Sequence, residues 1–182
     1  MHTNSEFRFD GGATWLNLLA TRGQSFGSRP VERLATIEAA EHWLSAIGFP
    51  PRDAVTTDDL AHLVQLREAL RDLAMAAVAL RAPTRNALSH VRAVASAHTA
   101  LDFADIAERG AETDDALSAI AVQALVTLNG PDRALLKECA EVDCRWVFLD
   151  TSGRRQWCPS PACASRGRVR AHRARQSAAS RS

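Results

Sequence analysis

All four cysteines of this 182-residue chain lie in one stretch, CAEVDCRWVFLDTSGRRQWCPSPAC, which runs from Cys139 to Cys163. The spacing is C-x4-C, thirteen residues, then C-x4-C, so two pairs stand about one hairpin apart. Two such pairs supply the four corners of a tetrahedral structural site, with thiolates at ~2.3 Å from a zinc ion. Two disulfides, or four unrelated thiols, are the alternative reading. The N-terminus has no apolar leader segment, and no apolar run approaches the ~18–20 residues of a membrane span. A cytoplasmic protein with no membrane partner is therefore expected, and in a reducing compartment clustered cysteines more often ligate a metal than pair with one another.

The residues between the pairs explain how they meet. RWVFLD sets Trp146 and Phe148 against Val147 and Leu149 and reads as a strand, TSG as a turn, and RRQWC as the returning strand that delivers Cys158. Two prolines in PSPAC fix a tight turn that places Cys163 at the start of a helix, whose positive end favours a thiolate. A knuckle, a β-hairpin and a helix start around one Zn2+ make a treble-clef-like arrangement with ligands Cys139, Cys144, Cys158 and Cys163.

From residue 151 to the end there are eight arginines and no acidic residue, which leaves the first 150 residues at −7 against a total of +1. An acidic body thus carries a basic tail, and a polyanionic partner is expected for it. Arg166, Arg170 and Arg173 recur at i, i+4, i+7 and Arg168 and Arg175 at i, i+7, two stripes expected to line one broad surface. Guanidinium matches phosphate and the guanine edge bidentately, so double-stranded DNA is the first candidate; a solvated tail is the other. Arg154, Arg155 and Arg166 either offset the −2 charge of a four-thiolate zinc site or contact the partner.

The remaining sequence must supply the body. Apolar residues make up 46% and charged residues 24%, tyrosine is absent and alanine abundant, which predicts a folded, mainly α domain. FRFDGG, with Phe7 and Phe9 before Gly11 and Gly12, predicts a short strand and a turn. Helices are predicted in ATWLNLLAT and in ATIEAAEHWLSAIGF, the latter with Thr36 as N-cap and Gly48 as left-handed C-cap. The central core helix is TTDDLAHLVQLREALRDLAMAAVAL, capped by Thr57, with a stripe of Leu63, Leu66, Leu70, Leu73, Ala77 and Leu80. TRNALSHVRAVASAHTA follows, and DDALSAIAVQALVTLNG closes the body, with Asp114 or Asp115 near its start and Asn129-Gly130 as its stop. LDFADIAERGAET reads as a hairpin or a helical loop, with the hairpin favoured. Trp15 and Trp43 are expected in the core, Asn17 as a buried polar group with a local partner, and His42, His62, His90 and His98 as ordinary helix residues.

The cysteine window resembles the CGNR zinc finger. The shared elements are Cys139 and Cys144, the Trp146, Phe148 and Asp150 strand, Arg154 or Arg155 with Trp157 and Cys158, then Cys163 and a basic helix. FRFDGG, WLNLLAT and HWLSAIG are similar to the ABATE domain that accompanies this finger in bacterial stress-related transcription regulators. The resemblance implies a DNA-binding regulator with a structural zinc. Where the family has Cys-Gly-Asn-Arg, this chain has Cys163, Ala164, Ser165 and Arg166, which keeps the ligand and the arginine. Leu16 to Thr21 lacks the Asp and Asn of the family's pattern, so a small-molecule site there is expected to be altered or absent.

No glycine-rich phosphate loop, H-E-x-x-H or G-x-S-x-G occurs, so the chain is not expected to be an enzyme. The expected organisation is a helical domain over residues 5–132, a zinc finger with basic helix over 133–178 and a disordered tail at 179–182, with separate cores for the two modules. The expected function is a transcription regulator that contacts DNA through Arg154, Arg155, Ser165, Arg166, Arg168, Arg170, Arg173 and Arg175. Its body then senses a small-molecule effector or forms a homodimer. The alternative is a zinc-stabilised module for an acidic protein or RNA, or a thiol switch that releases zinc on oxidation.

Overall fold

The structure is a computed structural model that describes residues 7–97 and 103–179. His98, the ends of the two predicted elements that meet there, the first residues of the predicted body and positions 180–182 of the predicted tail lie outside the described residues. The elements, in order, are α1 (Thr14–Ala20), β1 (Arg22–Gly23), β2 (Val31–Glu32), α2 (Ile37–Ala46), α3 (Thr57–Val78), α4 (Arg85–Ala97), α5 (Phe103–Arg109) and α6 (Thr113–Asn129). A 3-10 turn (Pro131–Leu135) then leads to β3 (Leu136–Glu138), β4 (Val147–Leu149) and α7 (Pro161–Ala179). The chain is mainly helical, as its composition predicts, with two small antiparallel ribbons, β1–β2 and β3–β4.

Local sequence fixes most boundaries. At α2, the Thr36 side chain accepts from the Ala39 amide at 3.2 Å, and Gly48 takes φ +89° just past the helix end, where a side chain would be strained. The cap of α3 is Thr56, not Thr57. Thr56 Oγ1 accepts from the Asp59 amide at 3.2 Å and Asp59 Oδ2 accepts from the Thr56 amide at 2.8 Å, a reciprocal box that leaves Thr57 as the first helical residue. The apolar stripe of α3 ends earlier than predicted: Leu80 is beyond the helix, at φ +52° and 87% exposed.

Residues 103–109 form a helix rather than the favoured hairpin. Asp105 sits in its first turn and Arg109 in its last, the placement that suits a helix dipole, and the two carboxylate–guanidinium partners pair at i, i+4. Phe7 and Phe9 do not form a strand. Phe7 instead stacks on His42 with ring centroids 5.9 Å apart, while the predicted turn is present at Gly12 with φ +90°.

Six of the seven α1 residues are buried, because this short helix runs through the centre of the molecule against α3 and α6. Trp15 donates its indole N–H to Thr127 Oγ1 at 3.2 Å, and the Asn17 side chain accepts from the Gly11 amide at 2.9 Å, the local partner its burial requires. Arg67 on α3 is 1% exposed and would be costly alone. It forks onto Glu32 with two bonds of 2.6 Å and reaches Glu68 at 2.9 Å and Thr21 at 3.1 Å. That network ties β2 to α3.

The expectation of separate cores is not met. Cys139, Cys144, Trp146, Val147, Phe148, Cys158 and Cys163 belong to the same buried cluster as Trp15, Leu16, Trp43 and the leucines of α3. Trp146 donates to the Leu16 carbonyl at 2.9 Å and the Leu149 amide to the Gly11 carbonyl at 2.9 Å. The reason is lack of area: a module of some forty residues cannot bury enough apolar surface by itself, so its aromatic strand docks on the body.

Candidate metal centre

Cys139 follows β3 directly, and its amide donates to the Trp146 carbonyl at 2.9 Å. The chain then turns: the Cys144 and Arg145 amides donate to the Glu141 carbonyl at 2.9 and 3.0 Å, and Arg145 takes the left-handed φ of +47° that reverses it into β4. The hairpin therefore pairs β4 with β3, in the register Leu136 to Leu149, Lys137 to Phe148 and Glu138 to Val147. This corrects the predicted pairing of RWVFLD with RRQWC. With an acidic side chain at Asp150 the chain breaks into a loop instead, and the first cysteine pair is the hairpin's own turn.

Asp150 organises the return to Cys158. Its carboxylate accepts from Ser152 Oγ at 2.6 Å, the Ser152 amide at 3.1 Å and the Arg155 amide at 2.8 Å, and Lys137 Nζ stands 3.4 Å away. The Ser152 hydroxyl, then these amides and Lys137, hold its carboxyl down to about 2. Gly153 takes φ +66° in this loop. The Ala140 amide donates to the Gln156 carbonyl at 3.0 Å, which closes the loop against the knuckle. Pro161 begins α7, where the missing N–H costs nothing, and the Cys163 amide in the first turn donates to the Ser160 carbonyl at 3.1 Å.

All four sulfurs lie within 4.8 Å of one another, all four cysteines are buried, and none is in a disulfide. A tetrahedron of thiolates ~2.3 Å from one ion has edges of ~3.8 Å, so the cluster needs little movement to close on a metal. The donor set fits: four sulfurs, no water-exposed position, and two guanidiniums aimed at them. Arg8 Nη1 lies 3.6 Å from Cys158 Sγ and Arg166 Nη2 3.3 Å from Cys163 Sγ, which offsets the excess negative charge of four thiolates.

Thiols this close share protons. Hydrogen bonding with Cys144 above all holds the Cys139 thiol down to about 7, and bonds with Cys139, Cys144 and Cys163, then Arg8, drive Cys158 far lower. The same sharing pushes Cys144 and Cys163 up, in each case through Cys139 first. A bound cation replaces those protons.

The predicted arginines do not form one surface. At roughly 100° per residue, Arg166, Arg170 and Arg173 fall on one side of α7 and Arg168 and Arg175 on the other. The face that carries Cys163 and Gly167 lies on the knuckle, between the two rows, and the first row reaches the acidic residues there. Arg170 pairs with Glu141 at 3.0 Å and with Asp143, and Arg166 Nε lies 3.8 Å from Glu141, whose side chain is fully buried. Arg168, Arg173, Arg175 and Ser165 are exposed, and Arg168, Arg175 and His172 border a groove of about 620 Å³ that Arg170, Glu141 and Trp157 also line. Arg154 and Arg155 are exposed on the loop after β4, their amides bonded to Ser152 and Asp150. Among the described residues, the guanidiniums that reach a sulfur are Arg8 and Arg166.

Sequence reasoning missed Arg8, Glu141, Asp143 and Gly167. A Cβ on Gly167 would stand 2.4 Å from Trp157 Nε1, so α7 can lie on that ring only at this glycine. Glu141 carries a weak signal, as an acidic residue inside a C-x4-C window; Arg8 carries none, since its partner is 150 residues away.

A helical body fused to a four-cysteine knuckle and a basic helix defines a two-module class, and two comparisons with family models agree on its parts. Residues 136–176 match the CGNR zinc finger, and residues 12–131 match the ABATE family, described as "Putative stress-induced transcription regulator". The chain belongs to the ABATE family. No curated protein matches it. Among the described residues, no helix is long and apolar enough to cross a membrane.

Proposed function

We propose that the protein is a zinc-containing, DNA-binding transcription regulator of the cytoplasm, with no catalytic role. Zn2+ is the ion because four buried cysteine sulfurs within 4.8 Å of one another match its structural donor set. Cys139, Cys144, Cys158 and Cys163 would hold it, and it would supply the cross-link that fixes the start of α7.

The observation that carries the DNA reading is α7 itself. It spans 19 residues, ~28 Å at 1.5 Å per residue, and every residue from Arg168 to Ser177 is exposed while its root is pinned to the cysteine cluster. Arginines on opposite sides suit a helix in a major groove ~12 Å wide, whose two walls are phosphate strands. Arg168, Arg175 and Arg173 contact phosphates and Ser165 faces the bases near the helix start. Arg154 and Arg155 extend the basic face. Arg166 and Arg170 hold the helix to the knuckle through Cys163, Glu141 and Asp143 rather than contacting DNA. The first 150 residues, of net charge −7, repel duplex elsewhere. The body senses an effector or forms a homodimer.

Selection of bound fragments from a genomic DNA pool by the metal-loaded protein, with structured RNA as competitor, tests this. Enrichment of a short duplex motif is expected; capture of RNA in its place, or of neither, rejects the reading. Elemental analysis should find one zinc per chain.

A further inference from the structure

A cavity of about 310 Å³ opens where the body meets the metal centre, and four arginines line it: Arg8, Arg22 and Arg33 from the body and Arg166 from α7. No carboxylate is among its lining residues. The wall also includes Trp146, the ligands Cys144 and Cys163, the polar Gln24 and Ser160, and the small apolar side chains of Ala20, Val31 and Ala162. Each of these arginines has a partner, in the wall of the void or just behind it. Arg8 bonds Asp10 at 2.7 Å and lies 4.5 Å from the centre of the Trp146 ring, Arg33 donates to the Ala20 carbonyl at 3.3 Å, and Arg22 stands 3.6 Å from Glu68. Arg166 is held at Cys163.

Cations gathered around a concave site repel one another and lose hydration. Burial first, and the charge of Arg8 next, pull Arg33 below its ordinary pKa. A multivalent oxyanion reverses both costs, and charge-assisted bonds to guanidinium are the strong kind. Guanidiniums that converge from the ribbon, the N-terminal segment and α7 suit a tetrahedral group with oxygens on several sides better than a planar carboxylate. The void is larger than a bare phosphate and has an apolar flank for an organic remainder, in the size range of small-ligand sites.

We propose that this cavity binds a small phosphorylated molecule, the effector of the regulator. The effector role rests on the function proposed above; the binding does not. Because Arg166 lines the cavity and also contacts Cys163 and approaches Glu141, occupancy there bears directly on the first turn of α7 and hence on how the basic helix is presented.

The test is calorimetric titration of the metal-loaded full chain with inorganic phosphate and pyrophosphate, with chloride holding the ionic strength constant. One saturable site is expected. Arg33→Gln and Arg22→Gln should each weaken it about tenfold, the loss of one charge-assisted bond, with unchanged circular dichroism. Arg133→Gln, outside the cavity and exposed, should leave it unchanged. Absence of saturable binding, or binding indifferent to both cavity variants, overturns the proposal. So does an Arg33→Gln variant that flattens the salt dependence of duplex binding by ~0.9, since the occupant would then be a DNA phosphate. Phosphate binding that persists in a protein with no affinity for any duplex keeps the site and rejects the regulator.

Discussion

Trp146→Ala is the sharpest probe of the shared core. Trp146 sits in the finger, yet its indole bonds the Leu16 carbonyl at 2.9 Å, its ring lies 6.3 Å from Phe148, and Arg8 covers it at 4.5 Å. Truncation of a buried tryptophan costs ~3–5 kcal/mol, and the lost indole bond and cation–π contact place this site at the upper end, about 4–5 kcal/mol. For a chain of 182 residues, at ~2–4 °C per kcal/mol, Tm should fall by roughly 8–20 °C. Far-ultraviolet circular dichroism reports the helical body, and metal release to a coloured chelator reports the finger. In one cooperative unit both signals shift together. A variant whose metal leaves early while the helical transition keeps its midpoint would refute the continuous core.

Arg8→Met removes the donor to Cys158 and should weaken metal affinity by ~10-fold or more, as losses around metal ligands do, with helix content intact; chelator competition measures it. Glu32→Gln leaves the buried Arg67 with Glu68 as its remaining acidic partner, and should cost about 2–3 kcal/mol in denaturant melts, less than the ~3–5 of a fully stranded charge. Burial alone would raise the Glu32 carboxyl, but Arg67 more than offsets it and holds it below its ordinary value. Its contribution is therefore present above that value and lost as pH falls through the depressed one, so Glu32→Gln should flatten the acid limb of the stability curve. Gly167→Ala, which elsewhere in a helix gains ~1 kcal/mol, should lower Tm here because the added methyl meets Trp157.

The metal ligands were legible because four cysteines in two pairs are rare and chemically specific. Helices with strong stripes or caps were legible for the same local reason, down to Thr36 and Gly48. Two errors were local, and the rest fall where tertiary contact decides. Thr56 rather than Thr57 was legible, since Asp59 stands three residues after Thr56 and completes a box with it alone. The strand pairing was misread because both RRQWC and Leu136–Glu138 flank Val147–Leu149, and the turn at Glu141–Arg145 selects the latter. The 100° spacing of a helix already sets Arg166 and Arg170 apart from Arg168 and Arg175; what it cannot show is Glu141 and Asp143, which engage the first pair across the fold. Arg8 and the cavity it borders come from distant segments, which no spacing rule connects.

The central claim is that exposed arginines of α7 bind duplex phosphates, and the salt dependence of binding tests it most directly. Three contacts, from Arg168, Arg173 and Arg175, give a slope of log K against log salt of about −2.7 at ~0.9 per phosphate, steeper if Arg154 and Arg155 also engage. Each single Arg→Ala among the three should flatten the slope by ~0.9, whereas Arg170→Ala should leave it unchanged because that side chain is spent on Glu141 and Asp143. A metal-loaded protein that binds no duplex at ~50 mM salt, or whose slope is indifferent to Arg168, Arg173 and Arg175, contradicts the account.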